Sequence, residues 1–220
     1  MNKAIITGAN RGIGLELCRA LAARGYDVTA LCRQSNDALN SLAITVYEGY
    51  DVSDGAAIEA FASTVEPDTV DLLINNAGIL HNVLLENLDL ESIRRQFEVN
   101  ALGPLRVTAS LLPALKRGAK VGLLTSRMGS IADNDSGGSY GYRMSKAALN
   151  AAGVSLARDL RSREIAVAIL HPGYVKTDMT GQSGLIDTRQ SVAGLLDRID
   201  QLNLENSGSF WHTNGDVLPW

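Results

Sequence analysis

The alternation of short apolar runs with longer helical segments constrains the fold of this chain most strongly. Seven runs have the length of a strand, and the last of them is the weakest: Ala4–Thr7, Val28–Cys32, Thr45–Tyr47, Leu72–Ile74, Val121–Thr125, Val167–Leu170 and Ser209–His212. Their continuous apolar character is typical of strands that helices cover on both faces of a sheet. The sequence therefore predicts one doubly wound, Rossmann-type α/β domain over residues 1–220, with a parallel sheet of about seven strands.

Apolar residues recur at helical spacing between these runs and predict five helices. The spacing places the helices near residues 13–22, 58–65, 93 onward, 142–160 and 190–202. Two stretches rich in Gly, Ser and Asp, Asp133–Ser139 and Thr180–Asp187, are predicted as surface loops. The second loop predicts a short substrate lid at about residues 178–189.

Composition excludes several classes of partner. The 220 residues carry a net charge of -4 without a run of Lys or Arg, so neither a nucleic acid nor an anionic membrane is an expected partner. No apolar stretch approaches the ~18 residues of a membrane span. Cys18 and Cys32 are the only cysteines and lack metal-ligand spacing, so we expect reduced thiols, no metal and a cytoplasmic location.

A glycine-rich turn follows the first strand and opens the first helix. In a doubly wound fold, ligands bind at the carboxyl ends of the strands, and a helix N-terminus offers N–H groups to phosphate. The alternative is an ordinary strand-to-helix turn. We expect the turn to hold a dinucleotide pyrophosphate through Gly8, Asn10, Arg11, Gly12, Ile13 and Gly14.

The residues after the second and third strands bear on which dinucleotide is bound. Enzymes that use NAD(H) usually place an acid after the second strand, whereas this chain has Arg33. Arg33 and Arg11 together match a ribose 2′-phosphate, so NADP(H) is expected over NAD(H). Asp51 and Val52 are expected along the adenine. The alternatives are a solvated charge at Arg33 and a strand end at Asp51.

Small and amide residues follow the fourth strand, where a cofactor sugar would lie against the chain. Asn76, Ala77 and Gly78 are the expected contacts. Asn and Gly also favour left-handed turn geometry, so a simple turn is the alternative interpretation.

Tyr142 and Lys146 are four residues apart on a predicted helix and therefore share one of its faces. A neighbouring ammonium, together with the positive nicotinamide ring of the oxidised cofactor, would lower the pKa of the phenol and let Tyr142 exchange a proton with a carbonyl oxygen. Ser126 would hydrogen-bond that oxygen, and Asn100 would hold a water beside Lys146. Tyr142 and Lys146 are also expected to contact the cofactor, with Lys146 bonding the hydroxyls of the nicotinamide ribose. The alternatives are a snorkelling surface pair, a helix cap at Ser126 and an interior amide at Asn100.

Taken together, these segments resemble the short-chain dehydrogenase/reductase family over almost the whole chain. The resemblance rests on Thr7–Gly14, Asp51–Val52, Asn75–Gly78, Asn100, Ser126, Tyr142-x-x-x-Lys146 and Pro172–Thr177. It implies a catalytic tetrad of Asn100, Ser126, Tyr142 and Lys146. It also implies that the nicotinamide is held by Pro172, Gly173, Val175 and Thr177, with Val175 contributing its backbone.

The long interval between Ser126 and Tyr142 resembles the C-factor-like and sniffer-like carbonyl reductases of that family, and leaves Ser130 as a second candidate hydroxyl. The expected activity is NADP(H)-dependent interconversion of a small-molecule carbonyl and alcohol. The alternative is a signalling protein of the C-factor type that binds NADP(H) with little turnover. A sugar-nucleotide epimerase needs a larger C-terminal region. We expect a homodimer formed by the long helices.

Overall fold

The seven apolar runs form one parallel sheet in the computed structural model, which describes residues 1–220. The strand order is β3-β2-β1-β4-β5-β6-β7. The strands are β1 Lys3–Thr7, β2 Asp27–Leu31, β3 Thr45–Tyr47, β4 Val70–Asn75, β5 Leu115–Leu124, β6 Ala166–His171 and β7 Phe210–His212. The predicted doubly wound α/β fold is confirmed.

The helices follow the predicted pattern with one addition and one interruption. They are α1 Gly12–Ala23, α2 Asp37–Asn40, α3 Gly55–Ala62, α4 Leu90–Phe97, α5 Gly103–Ser110, α6 Tyr140–Asp159 and α7 Thr188–Gln201. The short α2 was not predicted, and it begins where the Asn36 side chain accepts a hydrogen bond of 3.0 Å from the Leu39 N–H. A π-helical turn, Glu98–Leu102, joins α4 to α5 within the predicted third helix.

Consecutive strand residues supply two different hydrophobic cores. Ile5 packs into the core on the α3, α5 and α6 face, and Ile6 packs into the core on the α1 and α7 face. In β6, Ile169 likewise packs into the core on the α3, α5 and α6 face, and Leu170 packs into the core on the α1 and α7 face. Because side chains alternate along a strand, a sheet buried on both faces needs apolar residues at successive positions. This explains why the strand runs are continuous.

The winding of the chain reverses at β1. This strand pairs with β2 on one side and with β4 on the other, so the chain crosses over between β3 and β4. The segments that follow β1 and β4 therefore diverge onto opposite faces and leave a crevice at their carboxyl ends. No helix of the structure combines the length and apolar character needed to cross a membrane.

Candidate active site

A cleft of about 440 Å³ opens at the carboxyl ends of the strands. Of the eighteen residues predicted to bind a cofactor, sixteen line it: Gly8, Asn10, Arg11, Gly12, Ile13, Gly14, Arg33, Asp51, Val52, Asn76, Ala77, Gly78, Tyr142, Lys146, Pro172 and Thr177. The volume is within the usual range for small-molecule sites, roughly 300–1,000 Å³. The structure thus brings together residues from every predicted cofactor motif, whereas Asn100 and Ser126 of the predicted tetrad are not among the lining residues.

The glycine turn leaves room for a phosphate because side chains are excluded from it. Gly8 has a φ of +66°, and a Cβ there would lie 2.8 Å from the Ala77 Cα. A Cβ on Gly14 would overlap the Gly8 carbonyl oxygen. Helix α1 then begins at Gly12 with no side-chain cap and no acid in its first turn. Its free N–H groups and positive dipole end fit an anionic pyrophosphate.

The ends of β1 and β4 are joined by side-chain hydrogen bonds. The Asn76 amide donates to the carbonyl oxygens of Thr7 and Gly8, both at 2.9 Å. The Thr7 hydroxyl accepts from the N–H groups of Asn76 and Ala77, both at 3.1 Å. These bonds use the Asn76 side chain to hold the glycine turn, leaving its backbone and that of Ala77 at the cleft wall.

Charged side chains gather at the end of the cleft next to β2 and β3. Burial acts to raise the pKa of Asp51, but hydrogen bonds from Ser53 and the charges of Arg33 and Arg95 outweigh it and hold that pKa below its usual value. Arg11 lies 3.7 Å from the Asp178 carboxylate, with both side chains about two-thirds exposed. A surface pair of this kind is weak, so a bound anion can compete for Arg11.

Sequence reasoning missed several lining residues at this end. Cys32, Gln34, Tyr50 and Arg95 also line the cleft. The first three adjoin predicted residues. Arg95 belongs to no motif, and the only sequence signal for it is its position one helical turn before Val99, which also lines the cleft.

Tyr142 and Lys146 are buried together on the first two turns of α6. The Lys146 Nζ lies 5.7 Å from the centre of the Tyr142 ring and donates a 2.8 Å hydrogen bond to the Leu124 carbonyl. Burial lowers the pKa of Lys146 to about 7. Burial also raises the pKa of Tyr142 to about 12, with a hydrogen bond to Ser126 acting in the opposite direction. In the protein without cofactor the phenol is therefore protonated, and the expected lowering of its pKa applies to the protein with the oxidised cofactor bound.

The two candidate hydroxyls have different surroundings. Ser126 follows β5, caps a 3₁₀ turn by accepting from the Met128 N–H at 3.2 Å, and interacts with Tyr142. Ser130 is fully buried and accepts from the Asp133 N–H at 3.1 Å. Only Ser126 is therefore placed to act with Tyr142.

Asn100 connects three parts of the structure from within the π-helical turn. Its Oδ1 accepts from the Ile79 N–H at 2.8 Å, and its Nδ2 donates to the Ile79 carbonyl at 2.8 Å and to the Ser145 hydroxyl at 3.0 Å. A Cβ on Gly78 would lie 3.3 Å from Asn100 Oδ1 and 3.6 Å from Lys146 Nζ. These bonds fix the amide beside Lys146, and its Oδ1 accepts only one of them, so a second lone pair is left for the expected water.

The segment after β6 enters the cleft only in part. Pro172 and Thr177 line it, whereas Gly173 and Val175 lie outside. Gly173 packs against Ile186, and Val175 is buried and pairs with the same residue. The predicted lid is thereby attached to the segment in front of it, with the Lys176 N–H donating to the Ile186 carbonyl at 2.9 Å.

An open phosphate cradle beside a buried tyrosine–lysine pair defines a dinucleotide-binding oxidoreductase that acts on carbonyl and alcohol groups. Comparison with known families agrees, because the short chain dehydrogenase family model matches residues 2–185. The chain belongs to the short-chain dehydrogenase/reductase family.

Curated relatives extend the match to the full chain. A 1-hydroxy-2-glutathionyl-2-methyl-3-butene dehydrogenase from Rhodococcus sp. (strain AD45) is 42% identical over 226 residues, covering 100% of both chains. The C-signal protein of Myxococcus xanthus is 48% identical over 166 residues, which is 74% of this chain and 100% of that protein.

Solved structures of carbonyl reductases share the whole architecture. An NADPH-bound carbonyl reductase from chicken fatty liver superposes with a TM-score of 0.91 at 30% identity, covering 100% of this chain and 99% of that one. Carbonyl reductase Sniffer of D. melanogaster gives a TM-score of 0.92 at 31% identity, with 100% of both chains covered. The predicted resemblance to C-factor-like and sniffer-like proteins is confirmed.

Proposed function

We propose that the protein is an NADP(H)-dependent oxidoreductase that interconverts a carbonyl and an alcohol, with Tyr142 as the acid and base. The observation that carries this proposal is the burial of Tyr142 and Lys146 at the cleft that the glycine turn also lines. The cofactor, once bound, supplies or accepts the hydride. The NADPH-bound carbonyl reductase similar to this chain supports the choice of reaction.

Side chains of the protein supply the remaining parts of the proposed reaction, which are proton transfer and stabilisation of charge. Ser126 donates a hydrogen bond to the substrate oxygen and stabilises the charge that develops there. Tyr142 donates its proton to that oxygen in reduction and takes it back in oxidation. Because burial keeps the phenol protonated, with a pKa of about 12, the protein alone is prepared for reduction. Lys146 lies beside the phenol, and Asn100 fixes the backbone at Ile79, which also lines the cleft.

The preference for a 2′-phosphate rests on charge. Arg11 and Arg33 line the cleft, and Asp51 is engaged with Ser53 through hydrogen bonds of 2.9 Å and 2.6 Å. Two guanidinium groups near the expected ribose favour a ribose that carries a 2′-phosphate, as in NADP(H). A ribose with a free 2′-hydroxyl, as in NAD(H), is instead usually bound by a carboxylate.

Loss of NADPH absorbance with a panel of aldehydes and ketones tests the activity. Tyr142→Phe removes the acidic proton without changing the ring, so turnover on an accepted substrate should fall at least about 100-fold. Tyr140→Phe is the matched control, because Tyr140 lies two residues away with its ring partly exposed, and it should keep turnover within about twofold of wild type. Full turnover by Tyr142→Phe would contradict the mechanism.

A second candidate function is signalling through an NADP(H)-bound state with little turnover. The 48% identity to C-signal of Myxococcus xanthus favours this alternative. A protein of this kind would bind NADPH yet turn over no member of the panel. Turnover of a panel member that is lost in Tyr142→Phe would support the enzymatic function and contradict this alternative.

A further inference from the structure

Arg95 is a cation of the cleft that the proposed mechanism does not use. It lies on α4 and lines the cleft together with Val99, one helical turn later. Arg33, by contrast, follows β2 and lines the same cleft. The charges of both arginines act on the Asp51 carboxylate. The two guanidinium groups that act on Asp51 therefore come from different elements, one from the segment after β2 and one from α4.

Arg95 differs from the arginines on either side of it in sequence, because each of those has an acidic partner. Arg94 pairs with Glu91 at 3.4 Å, and Arg106 pairs with Glu98 at 2.7 Å. Arg95 lies between them in sequence, is exposed, and forms no ion pair in the structure. No acid of its own helix neutralises its charge, and the residue lines the cleft.

We propose that Arg95 is a cofactor-binding residue that covers the adenine of the dinucleotide from the α4 side. A guanidinium is planar and weakly hydrated, and it stacks well on aromatic faces. Its charge also favours the ionised form of Asp51, which accepts hydrogen bonds and so suits the exocyclic amine of adenine. This inference rests on the proposed binding of NADP(H).

The position of Arg95 distinguishes it from the two arginines assigned to the 2′-phosphate. Arg11 and Arg33 follow β1 and β2, whereas Arg95 reaches the cleft from the helix after β4. A residue that contacts adenine contributes equally to NADPH and NADH, because both carry the same base. A residue that contacts the 2′-phosphate contributes to NADPH alone.

Isothermal titration calorimetry of the purified protein with NADPH and with NADH tests the assignment. Arg95→Gln should weaken the binding of both nucleotides by a similar factor, about 3- to 10-fold. Arg94→Gln is the matched control, since Arg94 lies outside the cleft lining, and it should stay within about twofold of wild type. Equal melting temperatures would show that both variants are folded.

Two results would overturn the inference: unchanged affinities in Arg95→Gln, or a loss confined to NADPH. The wild-type titration separates this inference from the proposed function. A wild-type protein that binds neither nucleotide would refute the proposed function itself. One that binds NADPH more tightly than NADH, with no effect of Arg95→Gln, would refute only the role of Arg95.

Discussion

Lys146 is a buried ammonium without an acid partner, and this costs stability. Burial lowers its pKa from 10.5 to about 7. Between these two pH values the unfolded chain binds more protons than the folded one, so stability rises with pH across that interval. The penalty is complete at and below about pH 7 and disappears near pH 10.5. The protein thus keeps a destabilising charge at the point where the proposed chemistry needs one.

Replacement of this lysine should therefore stabilise the protein while removing activity. Lys146→Met keeps the apolar stem and deletes the charge, so at pH 7 we expect the melting temperature to rise by roughly 4–12 °C, the effect of about 2–3 kcal/mol in a chain of this size. The gain should shrink as pH approaches 10. Lys176→Met is the control at an exposed lysine, and it should leave the melting temperature unchanged at both pH values. Scanning calorimetry at both pH values checks this, and a lower melting temperature for Lys146→Met at pH 7 would contradict it.

The pair of Tyr142 and Lys146 could be predicted from sequence because their spacing fixes a shared helix face. The state of the phenol could not. Its pKa depends on how completely Leu124, Ser126 and neighbouring elements exclude water, and these come from a distant strand. Local spacing carries no information on that burial, so the raised pKa of the phenol in the protein without cofactor could not be predicted.

The segment from α4 to α5 shows what periodicity predicts about an element and what it does not. The apolar pattern predicted a helix through Asn100, and the helix is present, but with a π-helical turn at Glu98–Leu102. A single wide turn hardly alters a 3.6-residue pattern. Its one sequence signal is the polar Asn100 within an apolar face, whose amide bonds to Ile79 and Ser145.

Removal of that amide should loosen the connection between this segment, the end of β4 and α6. Asn100→Ala leaves the Ile79 N–H and carbonyl without their partner, at a cost of about 1–3 kcal/mol in the free energy of unfolding. Turnover should fall as well, because Gly78 and Lys146 adjoin the amide. Urea unfolding checks the first effect. Asn40→Ala, a control at an exposed asparagine, should keep the free energy of unfolding within about 0.5 kcal/mol of wild type. A loss of stability as large as that of Asn100→Ala would refute the specific role of Asn100.

At the scale of the whole molecule, the sequence predicted the fold because the inner strands are buried on both faces, and it predicted the cleft because most of the cofactor motifs follow a strand. The sheet order then places those motifs at one edge. Contacts such as that between Asn76 and Gly8, 68 positions apart, follow from this topology. The role of Arg95 did not follow, because a lone arginine on a helix marks no site until the helix is placed over the cleft.

The assembly of the molecule is a further expectation. Leu102 and Leu105 are 38% and 39% exposed near the start of α5, and Met144 is 48% exposed on α6, which packs against the π-helical turn. Apolar side chains left exposed on adjacent helices favour a contact between two copies, and a two-fold symmetric contact would use each of them twice. We therefore expect a dimer in light scattering at micromolar concentration.

Leu105→Glu tests this surface, because a two-fold contact would bring two buried like charges together and should produce a monomer. Leu185→Glu is the matched control: Leu185 is 82% exposed but lies in the lid, away from these helices, so the variant should remain dimeric. A wild-type protein that is monomeric would contradict the expectation of a dimer. A monomeric Leu185→Glu would instead move the contact from the long helices to the lid, whose backbone is attached to the segment after β6.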